Sequence, residues 1–352
     1  MRATVVAMVI VHHAALPYGL VGENAWPLTD ARRVAVLGTF SGVNASFGMA
    51  LIFLISGCVV PDSFDRHGAA AFIRARLRRL GVPLVVFSMV MLVPGIVVQF
   101  VRDGRALASF PGYLLHTLIG EQHLGHLWYL AVLLVFVVLY AGWRAVAPGV
   151  AGATRPPGAI ATVGFVVGLT AATFAVRIWS PIDRWVAVLE VVPVEPAHVP
   201  QYVAWFALGT VARRRGWLEA VSSRCGMAFL AAGIAAAAAC YVRPMWAGGG
   251  ATLAALRWAA WESVICTGMC AGLLVLFRDR CAAPGRLARL AAPEAYATYI
   301  FHIPVVLGLQ LAIAHAAWHP VGKFCFVAGF AVPLSFLVAA SARRWRALRA
   351  IL

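Results

Sequence analysis

The sequence predicts an all-α, polytopic integral membrane protein with about ten transmembrane helices. Three observations predict it. Of the 352 residues, 62% are hydrophobic and 12% charged, with a mean hydropathy of +0.86, whereas soluble domains carry about 25% charge. Apolar runs close to the roughly 20 residues that a bilayer core asks of a helix recur along the whole length. The basic residues between the runs alternate in number, as the positive-inside rule requires.

The ten runs lie at about 3–20, 42–61, 80–101, 126–146, 158–177, 199–213, 226–243, 257–277, 295–315 and 321–341. The first opens on Arg2 and carries His12 and His13. It has the flavour of a signal peptide, but the histidines interrupt it and no small-residue cleavage site follows, so a retained span is expected. The second ends at Ser56-Gly57-Cys58, before a loop rich in arginine. The fourth opens with His126-Leu127-Trp128-Tyr129, the eighth carries Glu262, and the ninth begins at Tyr296 and holds His302. The sixth is short and the seventh alanine-rich, and charge placement argues for counting both. With a cytoplasmic N-terminus, 20 of the 29 Lys and Arg fall in inside segments. Omitting the sixth span would put Arg278–Arg289 and Arg343–Arg349 outside, against the rule. Both termini are therefore expected in the cytoplasm and the protein in the cell inner (plasma) membrane. No internal repeat or low-complexity linker is visible, and no soluble domain is expected at either end. A single transmembrane domain over 1–352 is the reading.

The net charge of +16 is almost all arginine, with Lys323 the sole lysine. On a soluble chain this would point to nucleic acid. Here the charges sit in short clusters between spans, which is how topology and lipid head groups are managed, so membrane lipid is the expected partner and nucleic acid is excluded. Seven cysteines, an odd number without a CxxC pair, argue against a disulfide framework or a zinc site. His123 and His126 form an HxxH without a third ligand nearby, so no metal is expected.

An ionisable group inside a span is expensive and is by default a functional candidate. Arg2 and His13 are eleven residues apart, almost three turns, and so share a helix face roughly 16 Å apart along the axis. A neutral imidazole there can take a proton from a hydroxyl and return it to a leaving group. His12 points about 100° away and reads as structural. Arg76 and Arg79 share a face if helical, and a guanidinium pair suits phosphate. Positive-inside topology alone would also account for them. Ser56 offers a hydroxyl beside Gly57, which allows close approach of backbone or ligand. Trp128 and Tyr129 have the makings of interface anchors. His302 divides evenly between structural and functional roles. Glu262 must find a partner inside the bilayer: a histidine that it orients, or Arg257.

These segments, in this order, resemble the membrane acyltransferase-3 family, whose members O-acylate surface polysaccharides and related acceptors. Arg2-x10-His13 is similar to the family's Arg/Lys-x10-His, Phe53–Gly57 to its FFxxSG, and Arg76-x-x-Arg79 to its RxxR. His126-Leu127-Trp128-Tyr129 resembles HLWFL, and Tyr296–Pro304 resembles SYxxYLxHxP. Gln201-Tyr202 through Gly216-Trp217 has the family's look as well. Each motif is weak alone, and the ordered set is strong. The chain departs from the pattern in three places. Only Met1 precedes the signature arginine, Cys58 replaces a usual aromatic residue, and the usual Gly-x-Asp reads Gly48-Met49-Ala50.

The resemblance implies transfer of an acyl group, most often acetyl, from cytoplasmic acyl-CoA to a hydroxyl of a carbohydrate or glycosylated acceptor. Arg76, Arg79 and Arg2 would hold the CoA phosphates and Ser56 would line the donor path. His13 would deprotonate the acceptor or be transiently acylated itself. Trp128 and Tyr129 would stack on sugar near the outer mouth, with His126 and His302 on the acceptor side. A transporter or flippase for a glycan or lipid also has about ten spans and midplane charges, although no two-half repeat supports it. A non-catalytic assembly or sensor protein is the third class.

Overall fold

A computed structural model of the chain describes residues 1–20, 26–104, 106–120, 125–147, 152, 154–188, 192–243, 246–281, 283 and 285–352. These residues form α1 (Arg2–Ala15), α2 (Ala35–Arg76), α3 (Val82–Arg102), α4 (Phe110–Gly120), α5 (Trp128–Val146), α6 (Ala159–Trp179) and α7 (Val199–Arg214). They continue with α8 (Trp217–Ala220), α9 (Ser223–Val242), α10 (Leu253–Arg280), α11 (Arg286–Ala291), α12 (Ala295–Ala312), α13 (Pro320–Ala342) and α14 (Arg346–Ile351). Two short strands, β1 (Val186–Val188) and β2 (Val192–Val194), pair antiparallel with Val186 opposite Val194.

The protein is all-α and polytopic, and each predicted run lies on a helix. The count of about ten is not confirmed. Among the described residues, seven stretches are long and apolar enough to cross a membrane. Two predicted runs fall on helices that are too short, α1 with 14 residues and α7 with 16. Two others, 42–61 and 80–101, lie on α2 and α3, which follow one another through a π turn without an intervening loop and count once among the seven. The α2–α3 stretch is not straight. Gly68 takes φ +72°, outside the helical region, and breaks α2. The halves fold back far enough for the rings of Phe64 and Phe72 to meet at 5.4 Å. Residues Leu77–Gly81 then form a widened π turn before α3, a feature frequent at functional sites.

The broken α2 is the hub of the bundle, packing against α7, α10, α5 and α1. Lipid tails are as apolar as leucine, so helices in a bilayer associate through close packing of small residues. Gly57 of α2 and Gly209 of α7 show this. A Cβ on Gly57 would strike the backbone of Phe206, and one on Gly209 that of Leu54. The close approach at Gly57 is thus that of a neighbouring helix. α9 and α10 form a second tight pair, and α12 and α13 a third. α1 lies among α2, α12 and α13, held by Ile10, Ala14, Val306 and Val327.

Candidate active site

Three histidines from three distant parts of the chain meet inside the bundle. His13 of α1 and His302 of α12 place their ring centroids 5.1 Å apart, and His126, just before α5, lies 4.9 Å from His302. The hydrogen bonds assign the protons. A backbone carbonyl only accepts, so His302 Nδ1, 2.6 Å from the Tyr299 carbonyl oxygen, carries a proton and donates it. Neutral His302 therefore presents a bare Nε2. That atom lies 3.2 Å from His13 Nδ1, which itself sits 2.9 Å from the Val9 carbonyl oxygen. His13 Nδ1 faces two acceptors and must hold the proton. His13 is left with an unprotonated Nε2, the arrangement of a general base oriented by a second group.

His126 is fixed by a proline. In a helix the carbonyl of residue 300 would accept from the N–H of residue 304, but Pro304 has none. The freed Ile300 carbonyl accepts instead from His126 Nε2 at 2.9 Å. The Tyr299 hydroxyl closes the knot by donating to the His126 carbonyl. His12 turns out of this cluster, its ring edge-on to His13. His123 lies outside the described residues.

From the histidines a chain of rings runs to the arginines. Tyr299 packs against His302 and against Tyr129, both at 5.7 Å. The Tyr129 hydroxyl lies 2.7 Å from Ser56 Oγ. Tyr296, one turn before Tyr299, donates its hydroxyl to the Arg79 carbonyl at 2.6 Å, and the Arg79 guanidinium lies 6.0 Å over its ring. Arg76 is within electrostatic reach of Arg79, Arg2 and Tyr129. The separated sequence motifs Arg2, Ser56, Arg76/Arg79, His126/Tyr129 and His302 are thus linked by one chain of side-chain contacts that ends at His13.

Two expectations change. Tyr129 is buried, packed on Phe53 and bonded to Ser56, so it offers no ring face at an outer mouth. Trp128 packs at 5.6 Å against Tyr202 and meets Trp185 edge-on, on the side of His198. Two residues with no sequence signal belong to the site. Trp26 stacks on the His13 imidazole at 5.1 Å and 27°. Gln310, buried in α12, accepts from Trp26 Nε1 at 2.9 Å and donates to the His13 carbonyl at 3.0 Å.

A separate buried charge network ties α6 to α10 and to the turn before α7. Glu262 lies 2.6 Å from Arg177, both almost fully buried, and 3.1 Å from His198 Nε2. His198 Nδ1 lies 2.7 Å from Glu195. With a carboxylate on each ring nitrogen, His198 must donate from both. Burial works against the charged form, but Glu195 and Glu262 prevail and raise its pKa to about 10. Glu262 therefore holds a histidine together with Arg177. Among the described residues no group of three or more His, Cys, Asp or Glu is placed to hold a metal ion.

A family model described as an acyltransferase domain matches residues 1–340. A stretch of 142 residues is 29% identical to glucans biosynthesis protein C of Escherichia coli strains SMS-3-5, K12 and ATCC 8739. That stretch is 39% of this chain and spans 36% of the length of those relatives. No solved structure matches the chain. The family match extends over nearly all of the chain, from the first helix with its histidine to the last long one, and so the chain belongs to the acyltransferase-3 family.

Proposed function

We propose that this protein moves an acyl group, acetyl in the simplest case, from acyl-CoA to a hydroxyl of a carbohydrate or glycosylated acceptor. It does so in the plasma membrane, with both termini cytoplasmic. The observation that carries the reading is the unprotonated Nε2 of His13, held by Val9 and His302 at the end of a path that starts among arginines. Arg76 and Arg79, with Arg2 beside them, bind the CoA phosphates through charge-assisted hydrogen bonds. Ser56 and the Tyr129 hydroxyl line the way for the pantetheine arm. His13 Nε2 takes the acceptor's hydroxyl proton as its oxygen attacks the thioester carbonyl. The C–S bond breaks, a C–O bond forms, and the imidazolium returns the proton to the CoA thiolate. General base catalysis of this kind contributes roughly 10²–10⁴ in rate. The glucan in the printed name of the relatives supports a sugar acceptor.

The test is release of CoA from radiolabelled acetyl-CoA by the purified, detergent-solubilised protein, with and without a sugar extract, wild type beside His13→Ala. Consumption by wild type and a loss of about 10²-fold or more in the variant are expected. Equal rates in the two proteins would remove His13 from the chemistry.

A further inference from the structure

At the end of the bundle opposite the arginines is a cavity of about 410 Å³ with Gln310 among its lining residues. It is open on one side and is lined by the turn after α1, the segment before α2 and the connection between α12 and α13. Asp30, Lys323, Arg32, His315 and Trp318 bring polar and aromatic groups to it. The only lysine of the chain, Lys323, is buried in α13 and lies 2.6 Å from the Asp30 carboxylate and 3.1 Å from the Ala314 carbonyl. The second Asp30 oxygen accepts from the Arg32 backbone N–H at 2.9 Å. Burying such an ion pair is costly in itself, and here it pins the loop that carries Trp26 to the α13 wall. Trp318 is half-exposed and held edge-on by Phe326 at 5.6 Å. Gln310 joins the cavity to the reacting centre, because the same side chain bonds both the His13 carbonyl and the indole stacked on His13.

We propose that this cavity is the acceptor vestibule, which takes one sugar unit of a hydroxyl-rich acceptor and delivers a hydroxyl to His13 from the face opposite the donor. The proposal rests on the acyl-transfer reading above and adds to it the side and the residues of acceptor binding. An aromatic face with an apolar body, flanked by a carboxylate, an ammonium, a guanidinium and a carboxamide, matches a ring with one apolar face and a rim of hydroxyls. The Asp30–Lys323 pair cancels itself and leaves Arg32 as the one uncompensated charge on the wall, far fewer than in the arginine cluster assigned to the CoA phosphates. Donor and acceptor then approach His13 from opposite ends, so the transferred group crosses most of the bundle without the acceptor entering the arginine cluster.

The experiment uses the full chain carrying Cys225→Ser, Cys281→Ser and Cys325→Ser, which removes the exposed thiols, together with Ala317→Cys in the vestibule wall. The protein is assayed before and after reaction with a bulky maleimide. The readouts are transfer of radiolabel from acetyl-CoA to a soluble glucose oligosaccharide, and binding of acetyl-CoA by equilibrium dialysis. Labelling is expected to lower transfer at least about tenfold while the acetyl-CoA Kd stays within roughly twofold. Undiminished transfer after complete labelling overturns the vestibule, and so does a parallel loss of donor binding. A wild-type protein that binds acetyl-CoA but never acylates the oligosaccharide overturns the carbohydrate reading instead.

Discussion

At the scale of single residues, the site depends on where protons sit. His302 presents a bare Nε2 to His13 only because its own Nδ1–H is taken by the Tyr299 carbonyl. In the proposed mechanism His302 is a positioning residue, and its loss has a defined signature. His302→Ala removes the acceptor for His13 Nδ1–H, and kcat is expected to fall by on the order of 10²-fold, short of the roughly 10⁴ lost when a catalytic triad holds the wrong tautomer. KM for acyl-CoA should not move. His302→Gln retains an acceptor oxygen and should recover part of the rate. Steady-state kinetics of the three proteins check this, and equal loss in Ala and Gln would make His302 mere packing. The sequence showed His13 and His302 as unusual, because ionisable groups stand out in apolar runs, and singled out Arg2, Arg76, Arg79 and His126 by spacing and motif. It showed nothing of Trp26 or Gln310. A tryptophan in a loop and a glutamine near a helix end are ordinary until the fold sets them against His13.

At the scale of elements, the proline of α12 is the instructive case. Pro304 leaves the Ile300 carbonyl without its helical partner, and His126 takes it up. Pro304→Ala restores a backbone N–H that competes for the same carbonyl, a bond worth about 0.5–1.5 kcal/mol net. The expected result is a protein that melts no lower than wild type in detergent, yet turns over several-fold more slowly because His126 is released. Melting curves beside acetyl-CoA turnover decide it, and unchanged turnover would show that the His126 anchor is dispensable. Helix positions were legible from hydropathy nearly throughout, but helix breaks were not. Gly68 is one of 32 glycines, and nothing local marks it as the one where α2 folds back. That fold brings Arg76 into reach of Arg2 and Tyr129.

At the scale of the whole molecule, the buried charges around Glu262 join parts of the chain that are distant in sequence. A positively charged His198 between two carboxylates is raised to about 10 from an ordinary 6.5. A histidine whose folded pKa is raised stabilises the fold fully below its unfolded pKa. That contribution declines as pH rises and is lost through the folded value. The melting temperature of wild type should therefore exceed that of His198→Asn most at pH 6 and below, and the gap should close as pH approaches 10. A gap that widens with pH would contradict the charge assignment. Removing one partner of such a network leaves the others buried and unpaired, a cost of about 3–5 kcal/mol.

The sequence by itself determined the class of the protein, the approximate place of its helices and the residues from which a site could be built. Hydropathy is a local property and a bilayer reads it span by span. Tertiary structure decided which span-length runs stand alone. It ended α1 at Ala15, short of the 3–20 expected, and ran 42–61 into 80–101 through a kink at Gly68 and a π turn without a loop between them. It also chose partners. Glu262 had a histidine or Arg257 open to it and took His198 with Arg177, while Lys323, counted with the loop charges, was drawn inside to Asp30. Partner choice depends on which helix faces meet, and that follows from close packing at contacts such as Gly57 with Gly209, which one-dimensional patterning does not encode.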